Sequence, residues 1–321
     1  MTVLRPAPDV VARFGADLHA LAGDAPCALG VAVSGGPDSI ALLLLAHAAR
    51  PGAVQAATVD HGLRPESAAE AAFVAGLCTR LGVPHVILRA DAPLAGNTQS
   101  FARAVRYRLL GGWSREAGLA CLLTAHHADD QAETLLMRLL RGSGVAGLAG
   151  VRARARIDGM KVIRPLLGWR RAELAAVVAG AGISAVDDPS NDDPRYDRAR
   201  LRSRLREADW LDAPALARSA RALAEAEEAI DWAVGRLHAE RARAAGATLR
   251  IDMRDLPAEL RRRLVLRALA ALAPDAAPRG AEVDRLLASL AAGHTATLAG
   301  IRCDADADVW CFAAAPPRRR G

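Results

Sequence analysis

The sequence predicts an α/β chain: a parallel, doubly wound sheet followed by a second, smaller and mainly helical domain. Three observations carry this. Short apolar runs alternate with helical periodicities through the first two hundred residues, which is the pattern of a parallel sheet covered on both faces. Each apolar run ends in a polar loop. From about residue 208 the strands give way to Ala/Leu/Arg-rich stretches of helical period.

CALGVAV (27–33), VQAATVD (54–60), HVILRA (85–90) and LACLLTA (119–125) read as short buried strands, with helical patterns between them at about 38–50, 67–82 and 98–117. KVIR (161–164) supplies a further short strand and 168–182 an amphipathic helix ending at glycine. A turn-rich acidic stretch, DDPSNDDPRYD (187–197), leads into an arginine ladder (198–206) that closes a first domain, residues 1–206. The second domain, 207–321, is expected to hold one long helix over 215–246, helices over 256–273 and 281–293, a hairpin made by TATLAGIRC and DVWCFAA, and a disordered PPRRRG tail.

The 321 residues carry a net charge of +6, and all but one of the 42 basic residues are arginine. A source-genome habit explains that as well as a polyanionic partner does, although arginine's fork does grip phosphates. Five dispersed cysteines without a CxxC pair read as reduced thiols, which leaves out a disulfide frame or a zinc ribbon. No stretch is long enough to span a membrane and the N-terminus lacks the pattern of a signal peptide, so a cytoplasmic protein without membrane association is expected.

In parallel sheets, ligands meet the loops beyond the carboxyl ends of the strands. Four such loops occur here: SGGPDS, HGLRPES, DAPLAGNTQS and HHADD. In the first, Ser34, Gly35 and Gly36 follow a strand and Pro37 suits the first turn of a helix. Glycine amides curling before a helix N-terminus make an anion nest, so this loop predicts phosphate binding. Asp38 and Ser39 sharpen that: a carboxylate in a phosphate nest makes sense mainly with magnesium between. No Walker lysine occurs, and GSGVAG (142–147) follows a helix and reads as a helix stop.

In the second loop Ser67 and Glu70 read as a capping box, leaving Asp60, His61 and Arg64 as polar groups at the same edge. Arg103 and Arg106 share a helix face, where two cations sit comfortably only beside an anion. His126, His127, Asp129, Asp130 and Glu133 are too dense for a helix cap alone, and paired carboxylates such as Asp130 and Glu133 can hold magnesium or an ammonium group.

SGGPDS resembles the PP-loop of ATP-cleaving ligases and synthetases. Together with VDHGLRPES, RAVRYRLL, TAHHADDQAETLLMRLLRGSGVAGLAG, RPLLGWRRAEL and DDPSNDDPRYDRARLR, it gives a chain that resembles the tRNA(Ile)-lysidine synthetase family over about residues 28–206. The resemblance implies a PP-loop, adenine-nucleotide α-hydrolase-like fold and an ATP-dependent C–N ligase. Its substrates would be ATP, free L-lysine and isoleucine tRNA with a CAU anticodon; no obligatory protein partner is evident. ATP would adenylate the C2 oxygen of the wobble cytidine, and the lysine ε-amine would displace AMP to give lysidine.

By the same resemblance, Ser34, Gly35, Gly36, Pro37, Asp38 and Ser39 hold the pyrophosphate, and Asp38 and Asp130 carry Mg2+. Asp130 and Glu133 meet metal or the lysine ammonium, Arg106 stabilises charge on phosphate or C2 oxygen, His126 or His127 faces the site, and one of Arg198, Arg200 and Arg202 enters it. Arg198 is the one carried over as catalytic. The family often has Asn at the position of Ala199 and Glu near Gln99–Ser100, so supporting contacts differ there. The helical domain offers Arg254, Arg261, Arg262, Arg263 and Arg267 to tRNA, against the alternative of a solvated helix face.

Three other readings compete: a PP-loop tRNA thiolase, which would need cysteines near the loops; an NAD- or GMP-synthetase-type enzyme, which would not need the Arg-rich appendage; and a non-catalytic RNA-binding protein, which would not need SGGPDS and DDQAE intact.

Overall fold

A computed structural model describes the chain apart from residues 1–4, 24–27, 61, 63–65, 90–98, 186–194, 196, 209 and 317–321, and apart from the side chains of 66, 99, 100 and 206. It consists of two compact units, Met1–Ala224 and Glu225–Gly321.

The first unit is built on a six-stranded sheet. Its strands are β1 (Leu29–Ala32), β2 (Val54–Asp60), β3 (His85–Arg89), β4 (Cys121–Leu123), β5 (Arg154–Ile157) and β6 (Met160–Ile163), in spatial order β3-β2-β1-β4-β6-β5. All pairings are parallel except β5, which runs antiparallel to β6 at the edge. The helices are α1 (Pro8–Ala22), α2 (Pro37–Ala49), α3 (Glu66–Leu81), α4 (Gln99–Glu116), α5 (Ala128–Leu139), α6 (Val145–Leu148), α7 (Arg171–Gly180) and α8 (Asp197–Glu207). The parallel α/β reading therefore stands, with α1 and the edge strand β5 added to it.

The core explains why α2 has no polar face. Ser39 to Ala46 are all buried, because α2 lies against the sheet on one side and is flanked by α1 and α7 on the other. A helix apolar all round is a buried helix. Trp169 closes this layer: its indole Nε1 donates to Asp17 Oδ2 at 2.8 Å, and the Arg13 guanidinium lies 4.0 Å from its ring centroid. Strand order reverses between β1 and β4, the switch point at which ligands of such sheets collect.

The long helix α9 (Ala213–Arg241) leads into the second unit, which holds five strands and two further helices. The strands are β7 (Ala242–Ala245), β8 (Thr248–Asp252), β9 (Ala296–Leu298), β10 (Ile301–Asp306) and β11 (Val309–Ala314); the helices are α10 (Ala258–Leu272) and α11 (Gly280–Ala291). The strands form one antiparallel sheet, β7-β8-β11-β10-β9, against which α10 and α11 bury Leu264, Val265, Leu269 and Leu286 over Ile251, Cys303 and Phe312.

The hairpin expected at the end of the chain is β10–β11, but it is part of a larger sheet. ARAA (242–245), expected as helix, is strand β7, because Gly246 takes a positive φ of 61° and turns the chain back to pair with β8. Among the described residues, no helix is long and apolar enough to cross a membrane.

Candidate active site

The loop after β1 is shaped by its small residues. Gly35 has φ 93°, a conformation that L side chains rarely adopt. Ser39 then locks the turn: its Oγ donates to the Gly36 carbonyl at 2.9 Å and accepts from the Ser34 amide at 3.1 Å. Pro37 opens α2, so the amide end of a buried helix faces the loop. This loop lines a cavity of about 580 Å³ bordered also by Arg106, His126, Asp130, Arg171 and Arg198. Its apolar wall comes from Ala32 and Val33 of the β1 end and Ala57 and Val59 of β2.

The opposite wall is the loop from β4 into α5. His127, the N-cap of α5, has extended backbone (φ −129°, ψ −178°), so His126 and His127 project to opposite sides. His126 borders the cavity, with Nδ1 3.1 Å from Thr124 Oγ1. Burial pushes its pKa well below the ordinary value, and the surrounding arginines, Arg164, Arg103, Arg106 and Arg198, push the same way; it is neutral.

His127 is fully buried. Its Nε2 lies 3.3 Å from Asp38 Oδ2 and 3.5 Å from Asp130 Oδ2, and its Nδ1 3.5 Å from Asp129 Oδ2. Burial alone would lower its pKa, but Asp129, Asp38 and Asp130 outweigh it and lift the value to about 9. A buried imidazolium thus ties together the carboxylates of the two loops that meet at the switch point.

Asp129 is held in turn by α7. Its carboxylate accepts from Arg170 Nε at 3.2 Å and Nη2 at 3.1 Å, and from the Arg171 amide at 2.8 Å. Burial opposes ionisation, yet His127, Arg171 and Arg170 keep the group ionised far below the usual range. Asp130 accepts from the His127 amide at 3.1 Å, capping α5, and from Arg198 Nη2 at 3.2 Å.

Glu133 has another set of partners than the free metal or ammonium ligand its spacing suggested. It is buried, and both of its oxygens are taken: Arg198 Nε donates to Oε2 at 2.7 Å, Arg202 Nε to Oε1 at 2.7 Å and Arg202 Nη2 to Oε2 at 3.1 Å. Arg198 and Arg202 are four apart on α8 and both border the cavity, whereas Arg200 pairs with Asp197.

Arg106, on α4, borders the cavity with Arg103, and both guanidiniums stand near the Tyr107 ring, 5.5 and 5.1 Å from its centroid. Burial lowers the pKa of Arg106; the Tyr107 hydroxyl opposes this and Arg103 reinforces it.

α3 begins at Glu66, so Ser67 lies inside the helix and donates to Asp60 Oδ1 at 2.8 Å, while Glu70 borders the cavity. Asp60 also accepts from the Gly62 amide at 3.0 Å, which makes it a loop-shaping residue. His61 and Arg64 lie outside the described residues. Arg171 was not singled out because its helix follows β6 through a largely apolar connection; the signal was the arginine pair of GWRR, of which it is the second.

The PP-loop domain family matches residues 12–208. Two proteins named tRNA(Ile)-lysidine synthase resemble the chain over nearly all its length. That of Novosphingobium aromaticivorans is 48% identical, covering 96% of this chain and 94% of that protein. That of Zymomonas mobilis is 45% identical, covering 91% of this chain and 90% of that protein. The chain belongs to the tRNA(Ile)-lysidine synthase family. Among solved structures, a U34-tRNA thiolase from Methanococcus maripaludis matches with a TM-score of 0.53 at 18% identity, over 67% of this chain and 79% of that one, a likeness of fold.

Within this tRNA(Ile)-lysidine synthase family member, most of the second-unit arginines singled out for RNA are engaged internally. Arg263 makes a two-pronged pair with buried Glu227 at 2.5 and 2.7 Å and a further bond to Glu259 at 2.7 Å. Arg262 pairs with Asp284, and Arg254 with Asp252 at 2.9 Å. Among the described residues, no carboxylate pairs with Arg261 or Arg267, which leaves those two as the free cations of the set.

Proposed function

We propose that the chain ligates free L-lysine to C2 of the wobble cytidine of CAU-anticodon isoleucine tRNA at the expense of ATP. One observation carries the reading. An anion-holding loop, a pair of carboxylates bridged by a buried imidazolium, and arginines from α4, α7 and α8 converge on a single cavity at the β1/β4 switch point.

In the first half-reaction the C2 oxygen forms a bond to the α-phosphorus of ATP, and the α–β bridging oxygen leaves with pyrophosphate. The Ser34–Ser39 loop and the N-terminus of α2 receive that pyrophosphate. Arg106 stabilises charge on the α-phosphate and C2 oxygen. In the second, the lysine ε-amine forms the C2–N bond, the C2–O bond breaks, and AMP departs with that oxygen. Asp130 meets the incoming amine and takes its proton. Glu133 acts one step back, as the positioning residue that holds Arg198 and Arg202 against the cavity.

The site suits magnesium. Asp38 Oδ1 is a buried carboxylate oxygen without a hydrogen-bond partner, the acceptor a cation would satisfy beside a phosphate nest. Bound with ATP, Mg2+ would neutralise phosphate charge, with Asp38 and Asp130 as its protein ligands. Among the described residues no three or more His, Cys, Asp or Glu group to hold a metal by themselves, which fits an ion delivered with the nucleotide.

Residues 207–321 supply tRNA contacts, Arg261 and Arg267 foremost, and the protein works in the cytoplasm where that tRNA resides. A thiolase reading is disfavoured, because none of the four described cysteines borders the cavity.

The test incubates the protein with ATP, magnesium, radiolabelled lysine and CAU isoleucine tRNA, alongside CAU methionine tRNA. Acid-insoluble label on the isoleucine tRNA alone supports the reading. AMP release without label on either tRNA would overturn it.

A further inference from the structure

Arg171, like Arg103, is a cation of the cavity that the reaction above leaves without a task. It is the first residue of α7, at a distance of more than 130 positions in sequence from the loop it stands beside. Its Nε is buried and makes no hydrogen bond, and among the described residues no carboxylate pairs with its side chain. The other cavity arginines of the α8 side differ: Arg198 and Arg202 are neutralised by Asp130 and Glu133. A buried donor with an unmade bond is costly, so the unpartnered Nε of this half-buried side chain points to an anion that completes it.

The backbone of Arg171 is fixed on the catalytic side. Its amide donates to Asp129 Oδ2 at 2.8 Å, and the same oxygen lies 3.5 Å from His127 Nδ1, whose other nitrogen is 3.3 Å from Asp38. Three contacts in series, through Asp129 and His127, therefore couple α7 to the phosphate loop. Neighbouring Arg170 spends its guanidinium on Asp129, so it anchors the turn, while Arg171 turns its own toward the cavity.

We infer that Arg171 is a ligand of the leaving pyrophosphate, closing the nest of Ser34–Ser39 from the α7 side. This rests on the reading of the loop as the pyrophosphate site. When the α–β bridging bond breaks, negative charge accumulates on the departing β-phosphate oxygen. A guanidinium with its Nε already buried, on a backbone held by Asp129, meets that charge with little reorganisation. The helix amides alone supply partial charge; Arg171 supplies a full one.

The experiment uses the full chain and inorganic pyrophosphate with magnesium as probe, measured by calorimetry without tRNA, for wild type, Arg171→Ala, Arg171→Lys and Ser39→Ala. Loss of one charged hydrogen-bonding group predicts roughly 10- to 100-fold weaker pyrophosphate binding in Arg171→Ala, with partial recovery in Arg171→Lys. The ATP KM should rise with it, whereas the lysine KM and the tRNA affinity by filter binding stay at wild-type values. Wild-type pyrophosphate affinity in a folded Arg171→Ala would overturn the assignment. So would a loss confined to tRNA binding, which would make the partner a tRNA phosphate. The lysine-labelling assay on wild type reads the ligase function separately, and Ser39→Ala reads the loop separately, so a failure of either is told apart from a failure of Arg171.

Discussion

Replacing Glu133 with glutamine puts the positioning role of this carboxylate under direct test. The wild-type group accepts three charge-assisted hydrogen bonds at 2.7, 2.7 and 3.1 Å from two guanidiniums. Glutamine keeps the shape but turns one acceptor into a donor, which faces an arginine that can only donate. Such bonds are worth about 1.5–3 kcal/mol each, and breaking a buried ion pair costs about 3–5 kcal/mol. Arg198 is 39% exposed and recovers much of its hydration, so its share shrinks, while Arg202 at 14% does not.

A net loss of about 2–4 kcal/mol follows, or roughly 5–12 °C in the melting temperature of a unit this size. Turnover should fall by roughly 10- to 100-fold through misplacement of Arg198, since small displacements of positioning groups are costly. A double-mutant cycle of Glu133→Gln with Arg202→Gln should give a coupling of about 1.5–3 kcal/mol. Burial raises the Glu133 pKa, but Arg202 and then Arg198 outweigh it and hold it below the ordinary value. The unfolded chain therefore binds the extra proton first, so this contribution is present above about pH 4.5 and fades as pH falls through the folded value. Thermal melts from pH 7 to pH 3 should show wild type converging on Glu133→Gln. A variant that melts within a degree of wild type at pH 7 and ligates lysine at the same rate would refute the reasoning.

Other consequences are open to shorter tests. Asp38→Asn should abolish ATP-dependent AMP formation while leaving the far-ultraviolet circular dichroism unchanged; retained AMP release would remove Asp38 from the nucleotide site. Gly150→Ala should cost about 2–4 kcal/mol in urea unfolding, because Gly150 has φ 63° and a methyl group there would strike Gln131 Oε1, which itself receives the Val151 amide at 2.7 Å. Arg263→Ala should destabilise the second unit by about 3–5 kcal/mol by stranding buried Glu227, whereas the pair Arg263→Met with Glu227→Leu should come close to neutral; equal losses in both would deny the pairing its role. Arg261→Ala and Arg267→Ala should each weaken tRNA binding and shallow its salt slope by about one, with no change in the melting temperature.

The parallel strands of the first unit and the helices between them were legible because buried runs alternate with helical period, and the SGGPDS loop because its residue types leave few other uses; α1 and the edge strand β5 were not read. Strand β7 was not: ARAA has helical propensity throughout, and only pairing with β8 across Gly246 makes it extended, a contact invisible to local pattern. The sharing of roles within HHADD was equally hidden. Whether His126 or His127 faces the cavity depends on the dihedral angles at the N-cap of α5, and whether Glu133 is free depends on a helix more than sixty residues later. The arginine-rich stretch of α10 offered RNA and solvent as alternatives, and the structure gave much of it a third use, internal ion pairs that charge counting does not anticipate.

The two adjacent histidines make loop length a chemical variable. Extended backbone between β4 and α5 hands the cationic ring to the carboxylates and the neutral ring to the cavity, as alternate steps of one ladder. Inserting or deleting a single residue between Thr124 and Ala128 would exchange those positions, offering an imidazolium to a cavity already crowded with arginines and a neutral ring to three acids. Drift in this segment is therefore expected to proceed by substitution, with its length held fixed by charge.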